Sequence, residues 1–324
     1  MKNQTVRKLL LSSLFVLSSA NLALAGDIVN ISKIDGMPWF NRMAEGVVQA
    51  GKDNNVNAYQ VGPSNTDAPQ QVKLIEDLVA KKVSAISIVP NDSNALEPIL
   101  KKAKQNGIVV LTHESVGQPS ADWDIEIIDN AQFAADYVEE VAKAINGQGG
   151  YVIYVGGLTV PQHNLWADLF IKYQKVHYPD MFEVTSRMPV AENIDDARRT
   201  TIDLVKAHPD LKAVISFGSQ GPIGAGLAVK EKRLKNKLSV FGMMIPSQAA
   251  SLIKTGNITM GITYDPATSG YALGTIAAKV VKGEPINDGI EIKGLGKAKV
   301  NKEQKLIQFH NVLKVTKDNI DSLY

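Results

Sequence analysis

The feature that most constrains the fold of this chain is a regular alternation of short apolar segments with amphipathic ones. Residues 26–33 form an apolar run of strand length, and residues 39–53 then place Phe40, Met43 and Val47 on one helical stripe. Similar pairs of segments follow as far as Val281. This order predicts repeated βαβ units with parallel sheets, and the continuous apolar strands indicate that helices cover both faces of each sheet.

The strand and helix pairs are too numerous for one small sheet. A chain of 324 residues suits two domains of about 150 residues each. The early and middle parts look like two comparable halves, and no low-complexity linker separates them. We therefore predict an α/β protein of two doubly wound parallel-sheet lobes, with return crossings and a capping tail over residues 283–324.

Residues 1–25 have the pattern of a secretory signal peptide. Basic residues precede the apolar run 9–17, and the small-residue pattern Ala-Leu-Ala stands at 23–25. The apolar run is shorter than the roughly 20 residues that span a bilayer. Because the chain has no cysteine, a lipidated N-terminal cysteine is excluded. We expect an exported protein, free in a bacterial periplasm rather than lipid-anchored.

The net charge gives no reason to expect a polyanionic partner. The whole chain has a formal charge of +2, but residues 1–25 hold three of the 35 basic residues and none of the 33 acidic ones. The remaining chain is therefore close to neutral, at a formal −1. We expect no nucleic-acid or membrane-surface binding and an uncharged ligand.

Signals for catalysis are weak. No G-x-G-x-x-G follows the first strand, and the chain has no P-loop, H-E-x-x-H or G-x-S-x-G motif. The five histidines are dispersed, without metal-ligand spacing. We therefore predict a protein that is not an enzyme, with no catalytic residues, metal or cofactor.

Ligands of open α/β sheets bind outside the carboxyl ends of the strands. In this chain those ends combine polar side chains with aromatic ones, which suits the hydroxyl groups and C–H faces of a small sugar or polyol. The predicted ligand-binding residues are Lys33, Trp39, Phe40, Asn91, His113, Glu114, Gln162, His163, Trp166, Gln220, Met244 and Asp265.

Several of these residues also have a purely structural interpretation. Trp39 and Phe40 could anchor the first helix in the core. His113 could be a histidine satisfied at a sheet end, and Gln162 could simply begin a helix. Asp265 stands before a proline and could cap the helix that follows.

Taken together, the export signal, the two βαβ lobes and the polar strand ends resemble the periplasmic sugar-binding proteins of ABC importers, above all the ribose-binding and autoinducer-2-binding branch. The resemblance covers essentially the whole chain after residue 25. Its more specific marks are Gly51-Lys52, the segments 71–75, 107–112 and 159–166, and the ending 317–321.

The resemblance implies two lobes joined by a three-segment hinge, with the ligand held between them. The N-terminal lobe would comprise residues 26–128 and 266–292, and the C-terminal lobe residues 129–265 and 293–324. The expected partner is an ABC permease in the inner membrane, and we expect the protein to be a monomer.

Carried over by position, the family's binding residues fall on Lys33 after the first strand, on the aromatic pair Trp39 and Phe40, on Glu114 and on Asp265. Glu114 stands where the family usually has aspartate. The pair 162–163 reads Gln-His, where autoinducer-2-binding proteins have Asp-Gln. Met244 replaces the aspartate of ribose-binding proteins. These departures favour another small sugar or polyol, such as a pentose, a branched pentose or an alditol.

Three alternatives share this architecture. A receptor for autoinducer-2 would bind that signal and not sugars. A repressor core would need an N-terminal DNA-binding helix pair, where residues 1–25 read as an export signal instead. A Rossmann-type enzyme would need a cofactor loop that the first strand lacks.

Overall fold

The computed structural model describes residues 26–324. The predicted signal peptide, residues 1–25, lies outside the described residues. Within residues 26–324, no helix has both the length and the apolar character needed to cross a membrane.

The first part of the chain alternates strand and helix as predicted. Its elements are β1 (Ile28–Ile31), α1 (Pro38–Asn54), β2 (Ala58–Val61), α2 (Ala68–Lys81), β3 (Ala85–Ile88), α3 (Ser93–Gln105), β4 (Val109–Thr112) and β5 (Trp123–Glu126). Strands β1 and β3 are buried along their whole length, as expected for strands covered by helices on both faces. Helix α3 begins at a cap in which the Asp92 carboxylate accepts the amides of Asn94 and Ala95.

The middle part repeats the pattern. Its elements are α4 (Asn130–Ile145), β6 (Gly149–Tyr154), α5 (Pro161–His177), β7 (Met181–Glu183), α6 (Ile194–Ala207), β8 (Leu211–Ser216), α7 (Gly221–Glu231), β9 (Ser239–Gly242), α8 (Pro246–Lys254) and β10 (Met260–Thr263). Strand β7 is shorter than the predicted 182–188. Beyond it the Val184 amide still donates to the Tyr151 carbonyl at 3.0 Å, and Met188 forms a single bridge with Tyr154.

The last part contains one α-helix, short strands and a terminal 3₁₀ helix over Ile320–Ser322. The α-helix and the strands are α9 (Pro266–Val281), β11 (Glu291–Ile292), β12 (Gly296–Lys297), β13 (Lys299–Asn301), β14 (Leu306–Gln308) and β15 (Leu313–Val315).

The strands form two main sheets, one per lobe. The first has the order β13-β14-β5-β4-β3-β1-β2 and the second the order β15-β10-β9-β8-β6-β7. All neighbours are parallel except the pairs β13–β14 and β10–β15, which are antiparallel. This arrangement confirms the predicted α/β class with two parallel-sheet lobes, and it turns the carboxyl ends of both sheets toward a common cleft.

The described chain passes between the two sheets three times, after β5, after β10 and after β14, as expected for a three-segment hinge. Helix α9 packs on α1 in the first lobe, where we placed residues 266–292. The segment 293–324, which we assigned to the second lobe, is divided instead. Strand β14 pairs with β5, so β13 and β14 extend the first sheet, and only β15 joins the second. Strands β14 and β15 are short and lie on either side of the third crossing. Their sequences do not indicate which sheet each one joins.

Candidate ligand-binding cavity between the lobes

A narrow cavity of about 10 Å³, room for about one water molecule, lies between the two lobes, outside the carboxyl ends of the strands. Its lining residues are Lys33, Met37, Trp39, Phe40 and Glu114 from the first lobe and His163, Glu192, Phe217, Gly218, Ser219 and Met243 from the second. One wall is therefore aromatic and aliphatic, and the charged groups gather on another.

On the first-lobe side, the charged groups of the cavity are a buried ion pair. Lys33 follows β1, Glu114 follows β4, and Lys33 Nζ lies 2.5 Å from Glu114 Oε2 with side-chain exposures of only 2% and 4%. The hydroxyl of Tyr264 donates to the other carboxylate oxygen at 2.6 Å. Burial is the largest single effect and raises the pKa of Glu114, but the charge of Lys33, the neighbouring His113 and His163, and the hydrogen bond from Lys33 together outweigh it and bring the pKa to about 2. Glu114 is therefore a carboxylate at neutral pH.

His163 of α5 faces this ion pair from the second lobe. Its Nδ1 accepts the Gly156 amide at 2.9 Å, so the proton of the neutral ring is on Nε2. Burial, and then the charge of Lys33, lower the pKa of His163 well below its ordinary value, which keeps the ring neutral. Nε2 lies 3.1 Å from Lys33 Nζ. The two donor nitrogens, one from each lobe, therefore lie side by side with no hydrogen bond between them, and an oxygen acceptor within reach of both would relieve this contact.

Glu192 is the second carboxyl group of the cavity. It lies in the loop between β7 and α6, with Oε1 3.9 Å from His163 Nε2. Burial raises the pKa of Glu192 to about 7, although the charge of Lys33 opposes the rise. Its Oε2 has no hydrogen-bond partner among residues 26–324.

The apolar wall comes from both lobes. Trp39 and Phe40 lie in the first turn of α1, directly after Pro38, and both are buried. The Trp39 ring stands edge-on to Tyr264, with centroids 5.1 Å apart, which fixes its orientation. Phe217 and Met243 face them from the second lobe. Flat apolar surfaces of this kind suit the C–H faces of a sugar ring.

Five of the predicted residues line the cavity: Lys33, Trp39, Phe40, Glu114 and His163. They come from the segments that follow β1, β4 and β6, although 81 residues separate the two members of the ion pair.

Three predicted residues lie behind the residues that line the cavity and hold them in position. The Asn91 side chain donates to the Lys33 carbonyl at 2.8 Å. His113 contacts the Ile125 carbonyl through Nδ1 and the Tyr264 hydroxyl through Nε2, at 2.6 and 3.2 Å. Trp166 stacks on His163, with an interplanar angle of 16°. In this structure they position cavity residues, and direct ligand contact by them stays a prediction.

Four further predicted residues have other partners and do not line the cavity. Gln162 donates to Glu126 at 3.1 Å, and Gln220 pairs with Gln248. Met244 packs in the second-lobe core. Asp265 caps α9 and forms a two-pronged ion pair with Arg42 at 3.0 and 2.8 Å. Gln162 lies in the first turn of α5 and Asp265 caps α9, as their structural interpretations expect, and a ligand contact by either stays a prediction.

The sequence prediction missed six lining residues: Met37, Glu192, Phe217, Gly218, Ser219 and Met243. Several of them are sequence neighbours of predicted residues: Gly218 and Ser219 precede Gln220, and Met243 precedes Met244. Successive side chains of an extended segment point to opposite sides, so an error of one position selects the wrong side. Glu192 lies four residues beyond the end of the predicted strand 182–188, so the strand-end rule does not reach it.

A second pair of carboxyl groups lies at the first crossing between the lobes. Asp124 and Glu126 on β5 are buried, and Glu126 Oε2 accepts hydrogen bonds from Gln162 and Asn130 at 3.1 and 3.2 Å. Burial, and then the neighbouring Asp124, raise the pKa of Glu126 well above its ordinary value. Glu126 therefore holds a proton in the folded protein at pH values where the unfolded chain has lost it.

We expect Glu126→Gln to flatten the dependence of stability on pH. A carboxyl group whose folded-state pKa is raised stabilises the fold below its unfolded pKa, and this stabilisation is lost as the pH rises through the folded value. The wild type should therefore lose stability above about pH 5, and the glutamine variant should gain relative to it. Urea unfolding at pH 5, 7 and 9 measures this, with exposed Glu303→Gln as the matched control. Equal slopes for wild type and Glu126→Gln would refute the assignment.

The comparisons with known proteins agree with the two-lobed fold. A family model described as the periplasmic binding protein domain matches residues 28–285. The ribose import binding protein RbsB of Bacillus subtilis is 23% identical over 266 residues, which cover 78% of this chain and 81% of that protein. The D-xylose-binding periplasmic protein of Haemophilus influenzae is 25% identical over 249 residues, covering 72% of this chain and 70% of that one.

Solved structures with the same fold include LsrB from Clostridium saccharobutylicum in complex with AI-2. It superposes with a TM-score of 0.86 at 20% identity, covering 92% of this chain and 99% of that one. A solute-binding protein of an ABC transporter from Burkholderia graminis, in complex with D-arabinose, gives a TM-score of 0.79 at 26% identity and covers 91% and 96% of the two chains.

Proposed function

The chain belongs to the periplasmic binding protein family, a family of binding proteins, and from this premise we propose that it captures a small sugar or polyol between its lobes and delivers it to an ABC import permease. The observation that carries this proposal is the inter-lobe cavity, in which aromatic walls face a buried cluster of hydrogen-bonding groups. No bond of the ligand is made or broken in this role.

The cavity chemistry matches a small neutral polyol. With the lobes together the cavity measures about 10 Å³, room for about one water molecule, so the ligand must enter while the lobes are apart. Lys33 and His163 offer donors from opposite lobes, and Glu114 and Glu192 offer acceptors. Trp39, in the opposite wall, offers a ring face. Because the relatives described above are named for ribose and xylose, and a solved neighbour was found with D-arabinose, we propose a pentose-like ligand.

Lobe closure supplies the mechanism. The ligand contacts both lobes only when they are closed, so its binding shifts the population toward the closed form. The three crossing segments provide the hinge. In the structure the lobes are in contact, since Thr159 of the second lobe donates to the Asn91 carbonyl of the first at 3.1 Å. The closed form is the one that would present a continuous surface to the permease.

The proposed location is the periplasm, and the proposed partners are the sugar and the permease, with the protein acting as a monomer. The family assignment and the export pattern of residues 1–25 support this placement.

A receptor for autoinducer-2 is the second candidate. The aliphatic side chains of Met37 and Met243 give the cavity an apolar edge that suits a methyl-branched ligand. A screen against D-ribose, D-xylose, D-arabinose, D-allose, L-rhamnose and autoinducer-2 separates the two. Saturable autoinducer-2 binding without any response to sugars would favour the receptor.

We expect Trp39→Leu to weaken binding of the best sugar of this screen by about 30-fold, which corresponds to roughly 2 kcal/mol for the loss of an aromatic contact at the centre of an interface. Leucine keeps an apolar side chain in the first turn of α1, so the fold should persist. Isothermal titration calorimetry measures the effect, with Trp123→Leu on β5, outside the cavity, as the matched control. An unchanged dissociation constant for Trp39→Leu would remove Trp39 from the site.

A further inference from the structure

Glu192 is the cavity group whose contacts are least complete. Its side chain is only 10% exposed, Oε1 has its nearest ring nitrogen 3.9 Å away, and Oε2 has no partner in the described part of the chain. A buried oxygen acceptor without a donor is costly, and such groups in native proteins call for an explanation.

The groups that face Glu192 do not provide that donor. From the first lobe these are Lys33, which is bonded to Glu114, and Glu114 itself. From α5 it is the neutral ring of His163. On its own side Glu192 packs over Gly156, where a Cβ atom would lie 2.9 Å from Glu192 Cγ. Glycine at 156 thus makes room for a carboxyl group turned into the cavity.

We propose that Glu192 makes lobe closure depend on the ligand: hydroxyl groups of a bound polyol donate to its free oxygen, and closure without a ligand buries this carboxylate with no donor. The inference rests on the proposed function and deepens it, because it selects solutes with hydroxyl donors on the edge that faces the second lobe. Hydrogen bonds to an ionised carboxylate are among the stronger ones, so this contact also adds affinity.

A pH dependence of closure follows. In an open cleft Glu192 is solvated, with an ordinary pKa of about 4.5, whereas in the closed structure burial raises its pKa to about 7. Closure without ligand therefore takes up a proton between these values, and mild acid favours it. His163 acts in the opposite direction, because burial lowers its pKa. The Lys33–Glu114 pair and His163 remain in a Glu192 variant, so a comparison of variants isolates Glu192.

The test measures the lobe-to-lobe distance in sugar-free buffer. Because the chain has no cysteine, Val116→Cys and Leu158→Cys, at exposed positions on the two cleft rims, accept spin labels without background. Pulsed electron spin resonance at pH 5.5 and 8.0 gives the closed-to-open ratio. We compare the wild type, Glu192→Gln and the control Glu183→Gln, a second-lobe carboxyl group on β7 whose pKa burial also raises.

Between pH 8.0 and 5.5, the closed-to-open ratio of the wild type should rise relative to that of Glu192→Gln by on the order of 10- to 30-fold. Glu183→Gln should behave as the wild type. An equal pH response of the wild type and Glu192→Gln would overturn the inference. A wild type that closes in acid but binds no sugar of the screen would contradict the proposed function alone.

Calorimetry with D-arabinose, or with whichever sugar of the screen binds best, gives the second readout. At pH 8.0, Glu192→Gln should bind about tenfold more weakly than the wild type, because the ionised acceptor is lost, and the difference should shrink at pH 5.5. A constant difference at both pH values, or none, would count against a role of the ionised carboxylate.

Discussion

Glu114→Ala is expected to abolish sugar binding, with a loss of at least about 100-fold in affinity, and to destabilise the closed protein by about 3–5 kcal/mol. Glu114 is the partner of Lys33 in an ion pair whose side chains are 2% and 4% exposed. Removing one member leaves the ammonium group buried without its counter-charge. The same change deletes the acceptor that Tyr264 holds in place. Calorimetry and urea unfolding measure the two losses.

A double variant separates the loss of binding from the loss of stability. Replacing both members of the pair, as Lys33→Met with Glu114→Leu, removes the uncompensated charge, and apolar replacements of buried ion pairs are often neutral or stabilising. We therefore expect this protein to regain stability relative to Glu114→Ala and still to bind no sugar. Sugar binding by the double variant would contradict a direct role of the pair.

The backbone at Glu114 provides an additional control. Its φ of 61° lies in the left-handed region, which residues other than glycine rarely adopt. Strained conformations of this kind cost about 1–3 kcal/mol and occur at functional sites where the surroundings enforce them. Glu114→Gly relieves the strain, so it should be more stable than Glu114→Ala and should bind sugar no better.

Gly46→Val is expected to destabilise the first lobe by about 3 kcal/mol or more, because the backbones of α1 and α9 are in direct contact there. A Cβ atom on Gly46 would lie 1.9 Å from the Ala267 carbonyl oxygen, and one on Gly270 would lie 2.0 Å from the Met43 carbonyl oxygen. No side chain can move aside to relieve these contacts, since both are with backbone atoms. The helices would have to separate, which would also shift Trp39 and Phe40.

Thermal and urea unfolding test this packing. Gly46→Ala should already be destabilised, although less than Gly46→Val. Val48→Ala on the exposed side of the same helix serves as control and should change stability by less than about 0.5 kcal/mol. A Gly46→Val protein with wild-type stability would show that α1 and α9 tolerate a larger spacing.

The fold could be predicted from the sequence because most strands and helices have their own local hydrophobic pattern. The apolar run that contains β1 and the helical stripe of α1 are examples, and the structure confirms both with small shifts at their ends. The strands β13 and β14 show the limit. They are only three residues long each, and their membership of the first sheet depends on pairing with a distant strand.

The candidate site could be predicted in part, for physical reasons that differ between residues. The position of Lys33 and Glu114 at strand ends follows from topology, but their ion pair depends on the registers of β1 and β4 with β3, which lies between them, and no local pattern encodes these registers. For Asp265 the sequence allowed a ligand contact or a helix cap. In the structure its carboxylate caps α9 and pairs with the Arg42 guanidinium. Glu192 lies beyond a strand that ends early, so the strand-end rule alone places it poorly.

The central claim is that a small sugar binds between the lobes, and a crystal structure of residues 26–324 grown with the best sugar of the screen tests it most directly. We predict one sugar per chain in the inter-lobe cavity, with its ring against Trp39, an oxygen within hydrogen-bond distance of both Lys33 Nζ and His163 Nε2, and a hydroxyl group on Glu192. A sugar bound elsewhere on the protein, or a closed cavity without sugar at saturating concentration, would contradict the account.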